Sequence, residues 1–254
     1  MYHFFVEPSW IGENVIEIRG GDVNHIRNVL RMKAGEKMVI SDGYGNEYDC
    51  ILVRLSEDAI YTEIVEKHRV VSELLSRITL FQCLPKGDKM DLIVQKAVEL
   101  GVSAVVPVAS RRCVVKLDAK KEAARRKRWA AIAESAAKQS GRAVIPEITE
   151  VRSFPAAVHS AEKLDVCLFP YECAEELLTD GGKSAMEQTR EALGRIRKGQ
   201  SVGIFIGPEG GFEKEEVEAA MKCGAQPVSL GKRILRTETA GLCLLSVLMF
   251  QLEE

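Results

Sequence analysis

At 254 residues, 46% hydrophobic and 28% charged, the chain is long enough for one large globular unit or two modest ones, each with a real core. A formal net charge of −2 excludes any whole-molecule attraction to nucleic acid, so a polyanion must be met by a local patch. Seven cysteines, an odd number with no CxxC pair, argue against a disulfide framework and against a metal site, and point to reduced thiols in a cytoplasmic protein.

The opening MYHFFVEPSW lacks the basic and apolar regions of a secretion signal. The most apolar stretch, 241–250, is too short to span a bilayer, so no membrane partner is expected. Residues 1–72 read as a small β-rich unit, with strands at 2–6, 15–18, 37–41, 47–55 and 60–66 between Gly-Gly, Asp-Gly and Gly-Asn turns. One helix interrupts them, with Asp22 as N-cap and Val23, Ile26, Val29 and Leu30 at helical spacing. Arg27 and Arg31, four apart, are expected on one face of it. A small barrel carrying two aligned arginines can meet a phosphate backbone. A plain solvated face is the alternative. The charged stretch 67–77 changes the periodicity, and the domain boundary is placed there, between 72 and 73.

A strand at 78–84 runs into Pro85-Lys86-Gly87-Asp88. An amphipathic helix follows, with Met90, Ile93, Val94, Ala97 and Val98 on one face and Gly101 as its stop. With a further strand at 104–108 this is a β-α-β unit, hence a parallel sheet. Lys86 sits at the carboxyl end of a strand, where substrate is met. From Arg111 and Arg112 to Arg142 the chain carries eleven Lys and Arg against three Asp and Glu. Asp118 is expected to cap a helix through Lys138, with Trp129, Ile132, Ala133, Ala136 and Ala137 buried. Such a basic face would bind RNA in a salt-dependent way. Residues 143–200 are less informative: a strand at 166–169 and a polar helical region around 183–197. Cys167 and Cys173 have no histidine at metal-ligand spacing and read as core thiols.

The run 201–206 (SVGIFI) reads as a strand buried on both faces. It stops at Gly207-Pro208-Glu209-Gly210-Gly211, where neither strand nor helix continues. A helix with Glu213, Glu215 and Glu216 in its first turn ends near Gly224, followed by a strand at 227–230, a loop at 231–236 and a helix over 237–251. Glycine-bearing loops at strand carboxyl ends are where open α/β sheets bind ligands. The first loop is neither a P-loop nor G-x-G-x-x-G. The second sets Lys232, Arg233 and Arg236 beside Thr237, Glu238 and Thr239, more chemistry than a turn requires. The last helix is apolar nearly all round (Leu242, Leu244, Leu245, Val247, Leu248, Met249, Phe250). It is therefore expected to be buried on every side, in part against a second copy in a homodimer.

Gly207-Pro208-Glu209-Gly210-Gly211-Phe212 and Leu230-Gly231-Lys232-Arg233-Ile234-Leu235-Arg236-Thr237-Glu238-Thr239-Ala240 resemble the signature of the SPOUT methyltransferases. More narrowly they resemble the bacterial small-subunit ribosomal RNA methyltransferase E family, which methylates N3 of a uridine in 16S rRNA. His25-Ile26-Arg27-Asn28-Val29-Leu30-Arg31 is similar to a motif of that family's PUA-like RNA-binding barrel, and Gln139-Ser140-Gly141-Arg142 to its segment facing the RNA. The resemblance covers nearly the whole chain. It implies a PUA-like β-barrel over 1–72 and, over 73–254, a dimeric α/β SPOUT domain with a parallel sheet and a trefoil knot. It further implies an S-adenosylmethionine site made by Leu84, Pro85, Ile206, Gly207, Pro208, Glu209, Gly210, Leu230, Gly231, Ile234, Leu235 and Thr239. The 16S rRNA of the small subunit is met by Arg27, Arg31, Lys86, Arg111, Arg112 and Arg142. Arg236 is expected to stabilise charge on the deprotonated uracil, while Glu238, Glu209 or a phosphate-linked water accepts the proton. Two other readings stay open here. One is a non-catalytic RNA-binding or ribosome-assembly protein, which needs no cofactor. The other is a SPOUT enzyme acting on a different RNA position.

Overall fold

The computed structural model describes residues 1–69, 72–172, 174 and 183–253. The chain forms two compact units: residues 1–73 with 137–145, and residues 74–136 with 146–254.

In the first unit, strands β1 (Tyr2–Phe5), β2 (Val15–Arg19), β3 (Lys37–Ser41), β4 (Asn46–Leu55) and β5 (Ala59–Arg69) form one sheet in the order β1-β3-β4-β5-β2. All pairs are antiparallel except β1 with β3. Alternation turns Ile16, Ile18, Met38, Ile40, Leu52 and Ile60 inward, each fully buried. Helix α1 is only Gly21–Asn24, capped by Gly20 rather than Asp22, and a π-helical stretch, His25–Val29, widens the next turn. Arg31 lies beyond it with φ 54°, where the Met32 N–H closes on the Ile26 carbonyl at 3.0 Å. Arg27 and Arg31 therefore share no helix face, contrary to the spacing argument. Five-residue turns and a left-handed stop break the 3.6-residue period on which that argument rested.

Arg142 departs from expectation more sharply. It is 5% exposed, with its guanidinium 2.6 Å from Glu73. The same carboxylate takes the N–H groups of Ala143 and Val144 at 3.2 and 3.3 Å. Arg142 is thus a buried structural residue and not a free phosphate ligand. Glu73→Ala is expected to cost about 3 kcal/mol, because it removes the countercharge of a desolvated guanidinium. Urea unfolding checks this, and a loss below about 1 kcal/mol would contradict it.

The second unit contains β6 (Arg77–Cys83), α2 (Lys89–Glu99), β7 (Ala104–Ala109), α3 (Ala119–Ser140, the second unit holding it to Ala136), β8 (Glu147–Ile148), β9 (Arg152–Ser153) and α4 (Phe154–Ala161). There follow β10 (Val166–Pro170), α5 (Ala185–Gly194), β11 (Ser201–Ile206), α6 (Lys214–Lys222), β12 (Gln226–Val228) and α7 (Thr237–Leu252). The sheet runs β12-β10-β11-β6-β7-β8, with β9 also on β7, and every pairing is parallel. As expected of such a sheet, β11 is buried from Val202 to Ile206. Asp118 does cap α3, accepting from the Lys121 N–H at 2.8 Å. The short strands β8 and β9 and helix α4 were not anticipated, although Ser153 with Pro155 two residues on is a helix-start signal. Cys167 is buried in β10; Cys173 lies outside the described residues.

Within this chain α7 is not buried all round. Thr237, Gly241, Leu244, Leu245, Leu248 and Leu252 face inward, while Cys243, Val247 and Phe250 are exposed. Gly241 lets the helix approach the sheet closely: an added Cβ would lie 3.4 Å from Ile206 and 3.6 Å from Leu80. No helix among the described residues is long and apolar enough to cross a membrane.

Candidate active site

The strand order reverses between β6 and β11. From β6 the chain steps outward to β7 and β8, then crosses to β10 and returns to β11. Crevices form at the carboxyl ends of strands at such a switch point. The loops after β11 and β12 meet there around a cavity of about 840 Å³. The first loop is held from below. Phe212 is buried, with its ring 4.5 Å from Phe169 and 5.5 Å from Phe154, and an added Cβ at Gly207 would meet that ring at 3.1 Å. Glycine at 207 is therefore a packing requirement. Gly231 in the second loop has φ 102°, a region that favours glycine.

A buried relay ties the loops to the sheet. Gln82, at the end of β6, donates to Thr237 Oγ1 at 2.9 Å, and Thr237 donates to the Gly207 carbonyl at 2.7 Å. Thr237 opens α7 and lines the cavity. The relay thus fixes the first turn of α7 against the loop after β11.

Of the residues expected to hold a cofactor, Ile206, Gly207, Pro208, Glu209, Leu230, Gly231, Ile234 and Leu235 line the cavity. Leu84, Pro85, Gly210 and Thr239 do not. Leu84 is 2% exposed because its N–H continues the ladder to the Val108 carbonyl at 2.9 Å. Pro85 beside it is also buried. Gly210 faces Arg112, whose Nη1 donates to its carbonyl. Thr239 is exposed on α7. Arg236, the N-cap residue of α7, lines the cavity and is exposed.

Lys89 is a wall residue that the sequence reading missed, on the first turn of α2. Its Nζ lies 2.9 Å from Glu209 Oε1 and 3.3 Å from Glu238 Oε2. The first contact is a hydrogen bond; the second is an ion pair by distance, and Glu238 Oε2 is buried without a hydrogen-bond geometry of its own. Glu238 does not line the cavity and reaches it only through Lys89. The hydrogen bond to Glu209, with Glu238 adding, holds Lys89 above the ordinary lysine range. Burial acts to raise Glu209, but the bonds from Lys89 and from the Lys86 N–H (3.1 Å) outweigh it and hold the carboxyl below its usual range. No spacing rule points to Lys89, which reads in sequence as one polar residue on an amphipathic helix.

The remaining cations are dispersed. Arg27 donates to the carbonyls of Ser56 and Glu57 at 2.9 and 3.3 Å. Lys86 is exposed beside the cavity loop. Arg111 and Arg112 pair with Glu215 and Glu213 at the start of α6, at 3.3 and 2.9 Å. Both pairs are solvent-exposed, so they are weak and exchangeable for a phosphate.

Residues 72–249 match the RNA methyltransferase domain family, and residues 18–65 the RNA methyltransferase PUA domain family. A ribosomal RNA small subunit methyltransferase E of Bacillus subtilis is 39% identical over 236 residues, covering 93% of this chain and 90% of that one. The same-named protein of Mesomycoplasma hyopneumoniae is 33% identical, covering 97% and 98%. The crystal structure of a ribosomal RNA small subunit methyltransferase E from Neisseria gonorrhoeae bound to S-adenosyl methionine superposes with a TM-score of 0.81. It has 32% sequence identity and covers 99% of this chain and 98% of that one. A parallel sheet whose switch point carries two glycine loops, matched over nearly its full length by such relatives, leaves one assignment: the chain belongs to the ribosomal RNA small subunit methyltransferase E family of RNA methyltransferases.

Proposed function

We propose that this protein is an S-adenosylmethionine-dependent methyltransferase acting on N3 of a uridine in the 16S rRNA of the small ribosomal subunit. The observation that carries the reading is the cavity at the β6/β11 switch point. Its volume of about 840 Å³ falls in the range of small-molecule pockets. The residues present suit the cofactor: Ile206, Leu230, Ile234 and Leu235 offer apolar walls to an adenine, and the glycine loops offer backbone groups to its polar edges. When bound, S-adenosylmethionine supplies a methyl group activated on a sulfonium. The protein then has to align N3 and manage its proton. Arg236, the N-cap residue of α7, is the catalytic candidate, and Glu238, in the first turn of α7, positions Lys89.

Residues 1–72 form a PUA-like barrel that contacts RNA, and 73–254 a SPOUT domain with a trefoil knot. Supporting the knot, α7 starts beneath the loop after β11, tied there by the Gln82–Thr237–Gly207 relay. RNA is met by Arg27, Arg31, Lys86, Arg111 and Arg112, with the exposed basic residues of α3. Exposed Val247 and Phe250 on α7 form the contact of a homodimer. The protein works in the cytoplasm, where its substrate is assembled.

Small ribosomal subunits lacking the modification, incubated with labelled S-adenosylmethionine and the purified protein, are expected to acquire label on one 16S uridine. Nuclease digestion and mass spectrometry should identify it as N3-methyluridine. Cofactor binding without label would keep the pocket and refute the substrate; absence of cofactor binding would end the methyltransferase reading.

A further inference from the structure

We propose that Lys89 is a catalytic residue of the methyl transfer. In this role its ammonium donates a hydrogen bond to a carbonyl oxygen flanking N3 of the target uracil and holds the charge left by N3 deprotonation. The inference rests on the uridine-N3 reading above and deepens it.

Four cations line the cavity: Lys89, Lys232, Arg233 and Arg236. Three are exposed residues of the loop before α7 and its N-cap. Lys89 instead is clamped between carboxylates from two other elements, Glu209 from the loop after β11 and Glu238 from α7. A donor already fixed where charge will develop needs no reorganisation during the reaction, which is the arrangement that stabilises transition states most effectively. An ammonium has three N–H bonds; one goes to Glu209 and the Glu238 contact is an ion pair, so a donor remains for the substrate.

Glu209 Oε1 already accepts from Lys89 and from the Lys86 N–H. Glu238 Oε2 is buried behind Lys89, outside the cavity wall. Neither oxygen is placed to take a proton from N3, and Lys89 is held in its protonated form. In this account the N3–H proton passes to solvent water, which keeps both carboxylates ionised against Lys89. The negative charge spreads over the two flanking carbonyl oxygens, one bonded to Lys89. The N3 electron pair then forms the N–CH₃ bond while the C–S pair stays on sulfur as a neutral thioether. Glu209 and Glu238 are positioning residues in this account. The other charged group near Lys89 on its own helix, Asp91, is paired with Arg128.

The test uses the full chain and unmodified small subunits, with the wild type and the Lys89→Met, Lys89→Gln and Lys89→Arg variants. Calorimetric Kd for S-adenosylmethionine and KM for subunits should stay within about threefold in all variants, while kcat at neutral pH falls at least about 30-fold in Lys89→Met and Lys89→Gln. Lys89→Arg should recover most of it. Because the proton leaves to water, kcat/KM rises with pH to a plateau, and that rise should move up by about one unit or more without the ammonium. Subunits carrying 5-fluorouridine, whose N3 is more acidic, should narrow the gap between Lys89→Met and wild type. A folded Lys89→Met enzyme with kcat within threefold of wild type overturns the proposal, as does a defect confined to cofactor affinity. Wild-type protein that puts no label on a uridine N3 overturns the functional reading along with it, so the two failures are distinguishable.

Discussion

Arg236→Ala is expected to lower kcat for methylation of small subunits by about 10²–10³-fold, the usual effect of removing one donor from a site of developing charge. Arg236 is the N-cap residue of α7 and lines the cavity with its side chain exposed. On the proposed uridine-N3 reading the charge of the deprotonated uracil spreads over two carbonyl oxygens, and the proposal gives each a cation, Lys89 from α2 and Arg236 from α7. Helix α7 itself should survive the change. Its start is fixed by backbone bonds from Thr239 and Ala240 to the Arg236 carbonyl, both 2.8 Å, and by the Thr237 hydroxyl. The thermal midpoint is therefore expected to hold while kcat falls, and Arg236→Lys should recover only part of the rate because the planar fork is lost. A folded Arg236→Ala protein with full activity would remove Arg236 from the chemistry.

Phe205→Ala is expected to destabilise the second unit by about 4 kcal/mol, the cost of deleting a buried aromatic ring and leaving its space unfilled. Phe205, in β11, is 1% exposed. Its ring stacks on Phe81 of β6 at 4.4 Å and touches Phe154 and Phe169, each at 5.9 Å. Phe154 and Phe169 in turn support Phe212, the residue that pins the loop after β11. A loosened cluster should therefore also weaken cofactor affinity, even though Phe205 does not line the cavity. Denaturant unfolding followed by circular dichroism reads the first effect, and calorimetry below the unfolding transition reads the second. Unchanged cofactor affinity in the destabilised variant would show that the loop holds its shape without the cluster.

Much of the catalytic unit is legible before folding because its signals are local. Hydrophobic runs with a period of 2 or 3.6 mark β6, α2, β7 and β11. Asp118 caps α3 through a neighbour three residues away, and glycines announce both loops through backbone conformations or close approaches that other side chains resist. Eight of the twelve cofactor residues that the family resemblance implies line the cavity. The other four lie off its wall because of contacts that no local signal shows, such as the continued ladder that buries Leu84 and the guanidinium that covers Gly210.

Tertiary structure decided the electrostatics. Arg142 reads in sequence as the last cation of a basic stretch, yet it is buried because Glu73, 69 residues away, desolvates and pairs it. Lys89 carries no signal in the sequence; the strand order sets β11 beside β6 and brings a carboxylate 120 residues distant to 2.9 Å from it. Helix α7 is apolar on every side in sequence, but the sheet covers only one face and leaves Phe250 in solvent. Periodicity specifies which segments fold into elements, since it depends on bonds within a few residues. Which charges meet depends on the order of strands, and that order is set by burial across the whole sheet.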